Sequence, residues 1–371
     1  MPRSEVSIVT DLKDLEAEDF VPTPHHRGFT GPDFKPLPVP SHIDIDLTSR
    51  CNLRCRFCHL NYFAPPESTA LTFDQFIRIE PLLPHLESIT LFGKYEPLVC
   101  PDFLPIFDRI CEYGIESYFS TNGIKLTREI AESLAGRLKY LTVSITGFTP
   151  DTYKKSMGAR QFERVKENLR VLNEIKAAKG TDWPILRIST VAMQDTLDEI
   201  EMALDFVKEF DAAEGLQVTS FKAHAEDLRH LMPLSDIENY RAFCHRAMAY
   251  AEKIGVKCDL QSGDVESNER FTAELGHRYC DMPWHRLSLQ ANGDVFACPV
   301  TYEPIGNFLE TPIMDIWNGY ALAEFRKGVN DTENMNEDCR TCTHCRHRSL
   351  LDPEANDFSQ AERYIAGMTR L

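Results

Sequence analysis

Six short strand patterns alternate with helical patterns between residues 42 and 221. They are rich in β-branched and aromatic residues, and they cover residues 42–48, 88–93, 116–121, 140–146, 184–192 and 215–221. This alternation predicts parallel strands joined by right-handed crossovers. Six units do not close an eight-stranded barrel, so we expect an open, partial (β/α)6 TIM-like barrel, with a doubly wound sheet as the alternative. In both folds the functional face lies at the carboxyl ends of the strands.

Apolar residues at helical spacing predict three helices that face this core. The three sets are Phe162, Val165, Leu169 and Leu172; Ile200, Leu204, Val207 and Phe210; and Ile237, Tyr240, Cys244, Ala247, Met248 and Ala251.

Changes in composition divide the chain into five expected regions. These are an irregular, proline-rich arm over 1–41, the barrel over 42–260, a polar linker over 261–279, a small C-terminal domain over 280–350 and a helix over 351–371. The small domain starts with two alternating strand patterns around Asn292-Gly293, which strongly indicates a β-hairpin. A helix is expected to follow near residues 312–328.

Charge and cysteine content limit the partners and the compartment. A formal net charge of -17 disfavours nucleic acid, because phosphate binding needs clustered lysine and arginine. The sequence has neither an apolar run long enough for a membrane helix nor a signal peptide, so we expect a cytoplasmic protein without a membrane partner. Thiols stay reduced there, and the twelve cysteines therefore indicate metal or cluster ligation rather than disulfides.

Cys51, Cys55 and Cys58 directly follow the first predicted strand. Three thiolates at this spacing can bind three irons of one [4Fe–4S] cubane and leave the fourth iron open, and soft thiolates suit such clusters. A zinc site that borrows a distant ligand such as His59 is the alternative. Zinc sites usually pair two-residue knuckles from separate places, which this run does not match.

The C-x3-C-x2-C run resembles the signature of the radical SAM superfamily, and the resemblance covers about residues 42–348. It implies that S-adenosyl-L-methionine binds the open iron. Reductive cleavage then gives a 5′-deoxyadenosyl radical, which abstracts a hydrogen from substrate. Three further segments occur in the order typical of the family: Gly93-Lys94-Tyr95-Glu96-Pro97, Ser120-Thr121-Asn122-Gly123 and Val143-Ser144-Ile145.

The resemblance also implies roles for residues at the strand ends. Gly93 to Glu96 would hold the methionine amino group. Two positions depart from the family pattern. Lys94 and Tyr95 stand where small residues are frequent, and Thr146 stands where many relatives carry aspartate. The expected cofactor-binding residues are Phe57, Gly93, Lys94, Tyr95, Glu96, Asn122, Ser144 and Arg160. Taken singly, Gly93 could equally well end a strand, Asn122 could form a turn, and Ser144 could be a hydrogen-bonded hydroxyl of the core.

A second group of five cysteines lies in the last third of the chain. Cys280 and Cys298 flank the predicted hairpin, and Cys339, Cys342 and Cys345 follow at two-residue spacing. Four of these thiolates can close a second cubane, but the pattern also fits a zinc ribbon.

This region resembles the SPASM/twitch extension of radical SAM enzymes. The resemblance rests on Cys280-x12-Gly293-x4-Cys298, on Gly306-Asn307 and on Asp315-Ile316-Trp317-Asn318. A full SPASM domain has about seven cysteines, so five imply a shortened version with one auxiliary [4Fe–4S] cluster. Its expected ligands are Cys280, Cys298, Cys339 and Cys342, with Cys345 as a substitute.

The expected function is that of a radical SAM oxidoreductase-type enzyme. It would oxidise (dehydrogenate), epimerise or dehydrate a small polar, sugar-like molecule, with the auxiliary cluster taking or giving an electron. The preference for a small substrate rests on the short stretch before the barrel, since many peptide-modifying relatives carry a larger recognition domain there. A peptide-modifying enzyme and a non-catalytic Fe–S or zinc protein are the alternatives.

Two further expectations concern substrate and electrons. Lys222 and His224 follow the last predicted barrel strand and are the candidate catalytic residues, although solvated loop residues are the commoner explanation. An electron donor such as flavodoxin or ferredoxin is expected as a partner.

Overall fold

The computed structural model describes residues 37–62, 68–91, 93–223, 225–260, 280–331 and 333–340. Their strands form one sheet with the order β10-β9-β8-β1-β2-β3-β4-β5-β6-β7. The strands are β1 His42–Ile45, β2 Ser88–Thr90, β3 Glu116–Thr121, β4 Tyr140–Ser144, β5 Ile185–Ala192, β6 Leu216–Ser220, β7 Cys258–Leu260, β8 Arg286–Leu289, β9 Asp294–Phe296 and β10 Gly306–Asn307.

Helices follow most of these strands. The α-helices are α1 Phe73–Phe76, α2 Phe103–Glu112, α3 Arg128–Leu134, α4 Pro150–Met157, α5 Phe162–Lys179, α6 Ile200–Glu209, α7 Ile237–Ile254, α8 Ile313–Trp317, α9 Tyr320–Lys327 and α10 Glu337–Arg340. Short 3-10 helices cover His59–Asn61, Ile77–His85, Pro97–Val99, Leu197–Glu199, Glu226–Leu231, Pro233–Ser235 and Met282–Trp284.

Strands β1 to β6 are parallel neighbours in sequence order, which confirms the predicted α/β fold with a TIM-like partial barrel. All six predicted strands are present, and β3 spans the predicted residues 116–121. A seventh parallel strand, β7, pairs with β6 and was not predicted. It contains Asp259 and is followed by the polar segment 261–279, so the sequence there shows no strand pattern.

The two faces of the sheet differ in polarity. On β4, Leu141 and Val143 are fully buried, and Val143 and Val165 of α5 both pack close to Gly123. The alternate residues Thr142 and Ser144 are only partly buried. Strand β5 alternates in the same way. The face away from the helices is therefore polar and reachable by solvent, as required of a barrel interior that admits a polar substrate.

The three helices predicted to face the barrel core are present, with one correction to a core position. On α7, Tyr240, Cys244, Ala247 and Ala251 are buried as expected, whereas Met248 is 50% exposed. Successive helical residues are about 100° apart, so Met248 turns away from the face that Ala247 and Ala251 bury.

The C-terminal hairpin continues the barrel sheet. Strand β8 lies parallel to β1, with Ser288 opposite Asp44, and β9 returns antiparallel to β8. The helix expected near 312–328 is two helices, α8 and α9, because the backbone is extended at Gly319, with a ψ of 160°. The indole of Trp317 is buried and donates to the Leu37 carbonyl at 3.0 Å, which ties the end of the N-terminal arm to this region.

Several predictions fall outside the described residues. They are most of the N-terminal arm, the linker 261–279, the positions of Cys342 and Cys345, and the C-terminal helix. The five region boundaries stay predictions. Within the described residues, no helix is long and apolar enough to span a bilayer.

The orientation of α7, with Phe243 buried and Met248 exposed, predicts different losses of stability for two substitutions on that helix. Phe243→Ala removes a ring that is 3% exposed and should lower the free energy of unfolding by about 3–5 kcal/mol. Met248→Ala should change it by less than about 0.5 kcal/mol, as surface substitutions usually do. Urea unfolding of both variants checks this, and equal losses would contradict the orientation.

Candidate functional site

Cys51, Cys55 and Cys58 lie in the loop that leaves the carboxyl end of β1, as predicted. All three are partly buried, and burial raises the pKa of each thiol. The negative charges of Cys58 and Cys51 raise the pKa of Cys55 further, so the three sulfurs are close enough to repel one another as thiolates. A cluster of iron ions would supply the positive charge that holds them deprotonated. The donor set therefore fits an iron–sulfur cluster.

The backbone of this loop is fixed from several sides. The Cys55 carbonyl accepts from the Cys58 amide at 2.9 Å and from the Asn61 side chain at 2.6 Å. The Arg56 amide donates to the Ser156 carbonyl of α4 at 3.0 Å. Helix α4 thus packs directly on the cysteine loop.

The loops after β2 and β3 are bonded to the same cysteine loop. The Glu96 amide donates to the Arg50 carbonyl at 3.1 Å, and the Asn122 side chain donates to the Asn52 side chain at 2.7 Å. Three strand ends thereby form one continuous edge. This edge brings the segments around Glu96 and Asn122 to the cysteines, as the sequence predicts.

Glu96 lies in the interior of this edge and is 3% exposed. One carboxylate oxygen accepts from the Thr121 hydroxyl at 2.7 Å and the Leu98 amide at 3.1 Å, and the other accepts from the Asn122 amide at 2.7 Å. Burial raises the pKa of Glu96 to about 7, although these hydrogen bonds oppose the rise. The carboxylate holds the β3 loop in place, and its contact with the methionine amino group stays a prediction.

Gly93 and Lys94 are placed by a carboxylate that the sequence analysis did not single out. The Lys94 amide donates to Asp46 at 2.9 Å, and a side chain at Gly93 would lie 2.5 Å from the other Asp46 oxygen. Asp46 is buried, and burial raises its pKa to about 6. The signal was available in the alternation of Asp44 and Asp46 with apolar residues along the first strand. The Lys94 ammonium lies 5.8 Å from the centroid of the Phe296 ring on β9.

The other predicted cofactor-binding residues lie in loops or at the end of a strand. Phe57 packs on an apolar cluster from the segments that follow β5 and β6. The cluster consists of Met193, Phe221, Leu228 and Leu231. Tyr95 is partly buried, and after burial the charges of Asp46 and Cys58 raise its pKa. Ser144 is the last residue of β4, and Arg160 is exposed between α4 and α5. Their contacts with the cofactor stay predictions.

Lys222 follows β6 at the carboxyl edge and is partly buried. His224 lies outside the described residues. No catalytic role for either residue follows from the structure.

A cavity of about 220 Å³ brings together three of the predicted auxiliary ligands, Cys280, Cys298 and Cys339. These residues are far apart in the chain. The folded hairpin and α10 bring them to the same cavity. Arg286 also lines the cavity, and its guanidinium pairs with Asp44 of β1 at 3.2 Å. The convergence of three thiols supports a second cluster site here.

Short backbone contacts fix the auxiliary cysteines and explain the motif around them. The Asn330 side chain donates to and accepts from the Cys280 backbone, both at 2.8 Å. The Thr301 hydroxyl donates to the Cys298 carbonyl at 2.9 Å. Gly293 has a φ of 93°, and a side chain there would lie 2.3 Å from the Asn307 side chain, which bonds the hairpin turn. The glycine of the Cys280-x12-Gly293-x4-Cys298 motif is therefore required by the hairpin turn between the two cysteines.

The thiols are not arranged for one metal ion. Among the described residues, no three histidine, cysteine or acidic side chains converge closely enough to bind a single ion. The ligands of a cubane bind separate irons and need not converge on one point.

Family models match both parts of the chain. Residues 45–207 match the radical SAM superfamily, and residues 280–345 match SPASM, an iron–sulfur cluster-binding domain. The chain contains a radical SAM domain and a SPASM domain. Its radical SAM domain implies a [4Fe–4S] cluster and S-adenosyl-L-methionine as cofactors, and its SPASM domain indicates auxiliary iron–sulfur binding.

Individual relatives differ in what they act on. A PqqA peptide cyclase of Streptomyces rochei is 24% identical over 318 residues, 82% of each chain. A probable GTP 3′,8-cyclase of Thermococcus kodakarensis is 35% identical over 133 residues, but the match spans 42% of that protein. The structure of Streptococcus suis SuiB bound to precursor peptide SuiA superposes with a TM-score of 0.62 at 18% identity, covering 80% of this chain and 68% of that one.

The buried position of Glu96 predicts an unusual pH dependence of stability. Its pKa is about 7 in the folded chain against an ordinary 4.5, so the folded state binds the proton more tightly than the unfolded state. The free energy of unfolding should fall as the pH rises from about 4.5 to about 7, by up to roughly 3 kcal/mol for this group.

Glu96→Gln should remove that fall, whereas Glu129→Gln, on the exposed surface of α3, should not. Urea unfolding of the cofactor-free chain at several pH values measures the difference. Identical pH profiles for wild type and Glu96→Gln would contradict the assignment.

Two helix-ending glycines give a matched test of the contact between α4 and the cysteine loop. Gly158 and Gly180 both have positive φ, but a side chain at Gly158 would lie 2.4 Å from the Arg54 carbonyl, whereas none of the described atoms lies within 4 Å at Gly180. Gly180→Ala should cost only the left-handed conformation, about 1–2 kcal/mol.

Gly158→Ala should cost more than that and should also lower the iron bound on anaerobic reconstitution. Urea unfolding and iron analysis of both variants provide the comparison. Full iron content in Gly158→Ala would mean that the packing of α4 does not shape the cysteine loop.

Proposed function

We propose that this chain is a radical SAM enzyme that oxidises a peptide. Its cluster is held by Cys51, Cys55 and Cys58, and an auxiliary [4Fe–4S] cluster is held by Cys280, Cys298, Cys339 and one of the two later cysteines. The observation that carries the radical SAM part of the proposal is the grouping of three partly buried cysteines in one loop at the carboxyl edge of a TIM-like barrel.

The bound cofactors supply the radical that takes a hydrogen atom from substrate, as in the superfamily. The protein positions them. Glu96 holds the loops after β2 and β3 against the cysteine loop, and Asp46 fixes the turn at Gly93. Phe57 and its apolar cluster offer a surface suited to the adenine ring.

The comparisons favour a peptide over the small polar molecule preferred from sequence. The peptide cyclase relative matches over 82% of both chains, whereas the nucleotide cyclase match covers 35% of this chain. The preference for a small molecule rested on the short stretch before the barrel, which is weaker support than similarity over most of the chain.

A small polar substrate is the second candidate, and one observation favours it. The barrel face of β4 and β5 carries Thr142, Ser144, Arg187 and Ser189, all partly exposed. Such a lining can hydrogen-bond a sugar hydroxyl as well as a peptide group.

The auxiliary site accounts for the electron balance of an oxidation. Loss of a hydrogen atom from substrate leaves a carbon radical, which forms an unsaturated or cross-linked product when it gives up a proton to solvent and an electron to an acceptor. The site lined by Cys280, Cys298 and Cys339 is the proposed acceptor, and a flavodoxin or ferredoxin is the proposed external donor to the first cluster.

Iron content tests the two cluster sites. Anaerobically reconstituted wild type should bind about eight irons and the Cys51/Cys55/Cys58→Ala triple variant about four, because each cubane carries four. The triple variant should form no 5′-deoxyadenosine from S-adenosylmethionine and dithionite. Cys111→Ala, which removes a partly buried thiol on α2, should match wild type. Unchanged iron in the triple variant would rule out the first site.

The substrate class is tested with short peptides encoded beside the gene, co-expressed with wild type or the triple variant. A peptide that loses two hydrogen atoms only with wild type supports the proposal. Unmodified peptides, together with 5′-deoxyadenosine formation stimulated by an aminocyclitol, would replace the peptide by the small polar substrate.

A further inference from the structure

One face of α4 is directed at the cysteine loop. Met157 lies on this face, and its sulfur is 3.8 Å from the sulfur of Cys55. Tyr153 precedes it by four residues and therefore lies on the same side of the helix. Gly158 ends the helix against the Arg54 carbonyl, which leaves no space for a side chain between helix and loop.

Tyr153 is a polar residue of this face whose hydroxyl no described group satisfies. Its side chain is 0% exposed, and its ring packs 5.5 Å from that of Phe162. The hydroxyl is buried and has no hydrogen-bond partner among the described residues. Folded proteins rarely leave a buried hydroxyl unpaired, because it has given up its bonds to water.

The surroundings of the hydroxyl identify what would pair with it. Helix α4 contacts Cys55 one turn after Tyr153, where the Met157 sulfur lies 3.8 Å from the Cys55 sulfur, and burial together with the charges of Cys55 and Glu96 raises the pKa of Tyr153. Glu96 already accepts three hydrogen bonds, from Thr121, Leu98 and Asn122, and among the described residues neither Glu96 nor Cys55 accepts one from Tyr153. The sulfur of Cys55 is the neighbouring acceptor that gains negative charge when it binds iron.

We propose that Tyr153 donates a hydrogen bond to the Cys55 sulfur of the bound cluster and makes that cluster easier to reduce. The inference rests on the proposed cluster site. A hydrogen bond to a ligating sulfur stabilises the more negative, reduced cluster, and such bonds are among the factors that set iron–sulfur potentials. Tyr153 thus acts on the cofactor and not on the substrate.

The test is the reduction potential of the first cluster in Tyr153→Phe, measured by EPR-monitored titration without S-adenosylmethionine. The Cys51/Cys55/Cys58→Ala triple variant gives the auxiliary signal to subtract. The potential should become more negative by the equivalent of about a tenfold change in the reduction equilibrium, about 59 mV for one electron. Tyr250→Phe, whose hydroxyl bonds exposed Asp205 on the far side of the fold, should match wild type.

A second readout separates the cluster contact from a structural role. Without cofactor, Tyr153→Phe should melt at the wild-type temperature or higher, because the variant loses an unpaired buried hydroxyl. With the cluster bound it should melt lower than wild type.

Three results would overturn the inference: an unchanged potential, a shift that appears only with S-adenosylmethionine, or a lower melting temperature without cofactor. Absence of the first cluster from wild type would instead contradict the proposed function.

Discussion

The buried carboxylate of Glu96 is the contact on which the carboxyl edge of the barrel depends. Its oxygens hold Thr121 and Asn122 at the end of β3, and its own amide bonds the loop that carries the cysteines. Without this carboxylate, the loop after β2 would lose its buried hydrogen bonds to Thr121 and Asn122 at the end of β3. The arrangement costs stability when Glu96 is ionised, which is typical of a group retained for a site rather than for folding.

The second cluster site depends on the same barrel. Because β8 pairs with β1, the hairpin that carries Cys298 is an extension of the barrel sheet. Arg286 lines the auxiliary cavity while its guanidinium pairs with Asp44 on β1. The two proposed cluster sites are therefore attached to neighbouring strands of one sheet.

Sequence alone predicts the parts of this fold that have strong local signals. The six barrel strands and the Asn-Gly hairpin follow from residue pattern, and the radical SAM family follows from the cysteine spacing. Strand β7, the break at Gly319 and the exposure of Met248 were missed, because each is decided by a few residues or by packing against distant elements. Asp46 and Tyr153 were missed for another reason. Alternation along the first strand marked Asp46 as polar, but neither its contact with the loop at Gly93 nor the packing of α4, which carries Tyr153, on the cysteine loop follows from a sequence pattern.

The central claim is a cluster with three protein ligands and one open iron. The most direct test is EPR of the reduced first cluster with S-adenosylmethionine labelled with ¹⁵N at its amino group, in a Cys280→Ala/Cys298→Ala background. The account predicts that the labelled cofactor changes the signal and adds a nitrogen coupling, since its amino group binds iron. An unchanged spectrum, or a fourth ligand contributed by the protein, would contradict it.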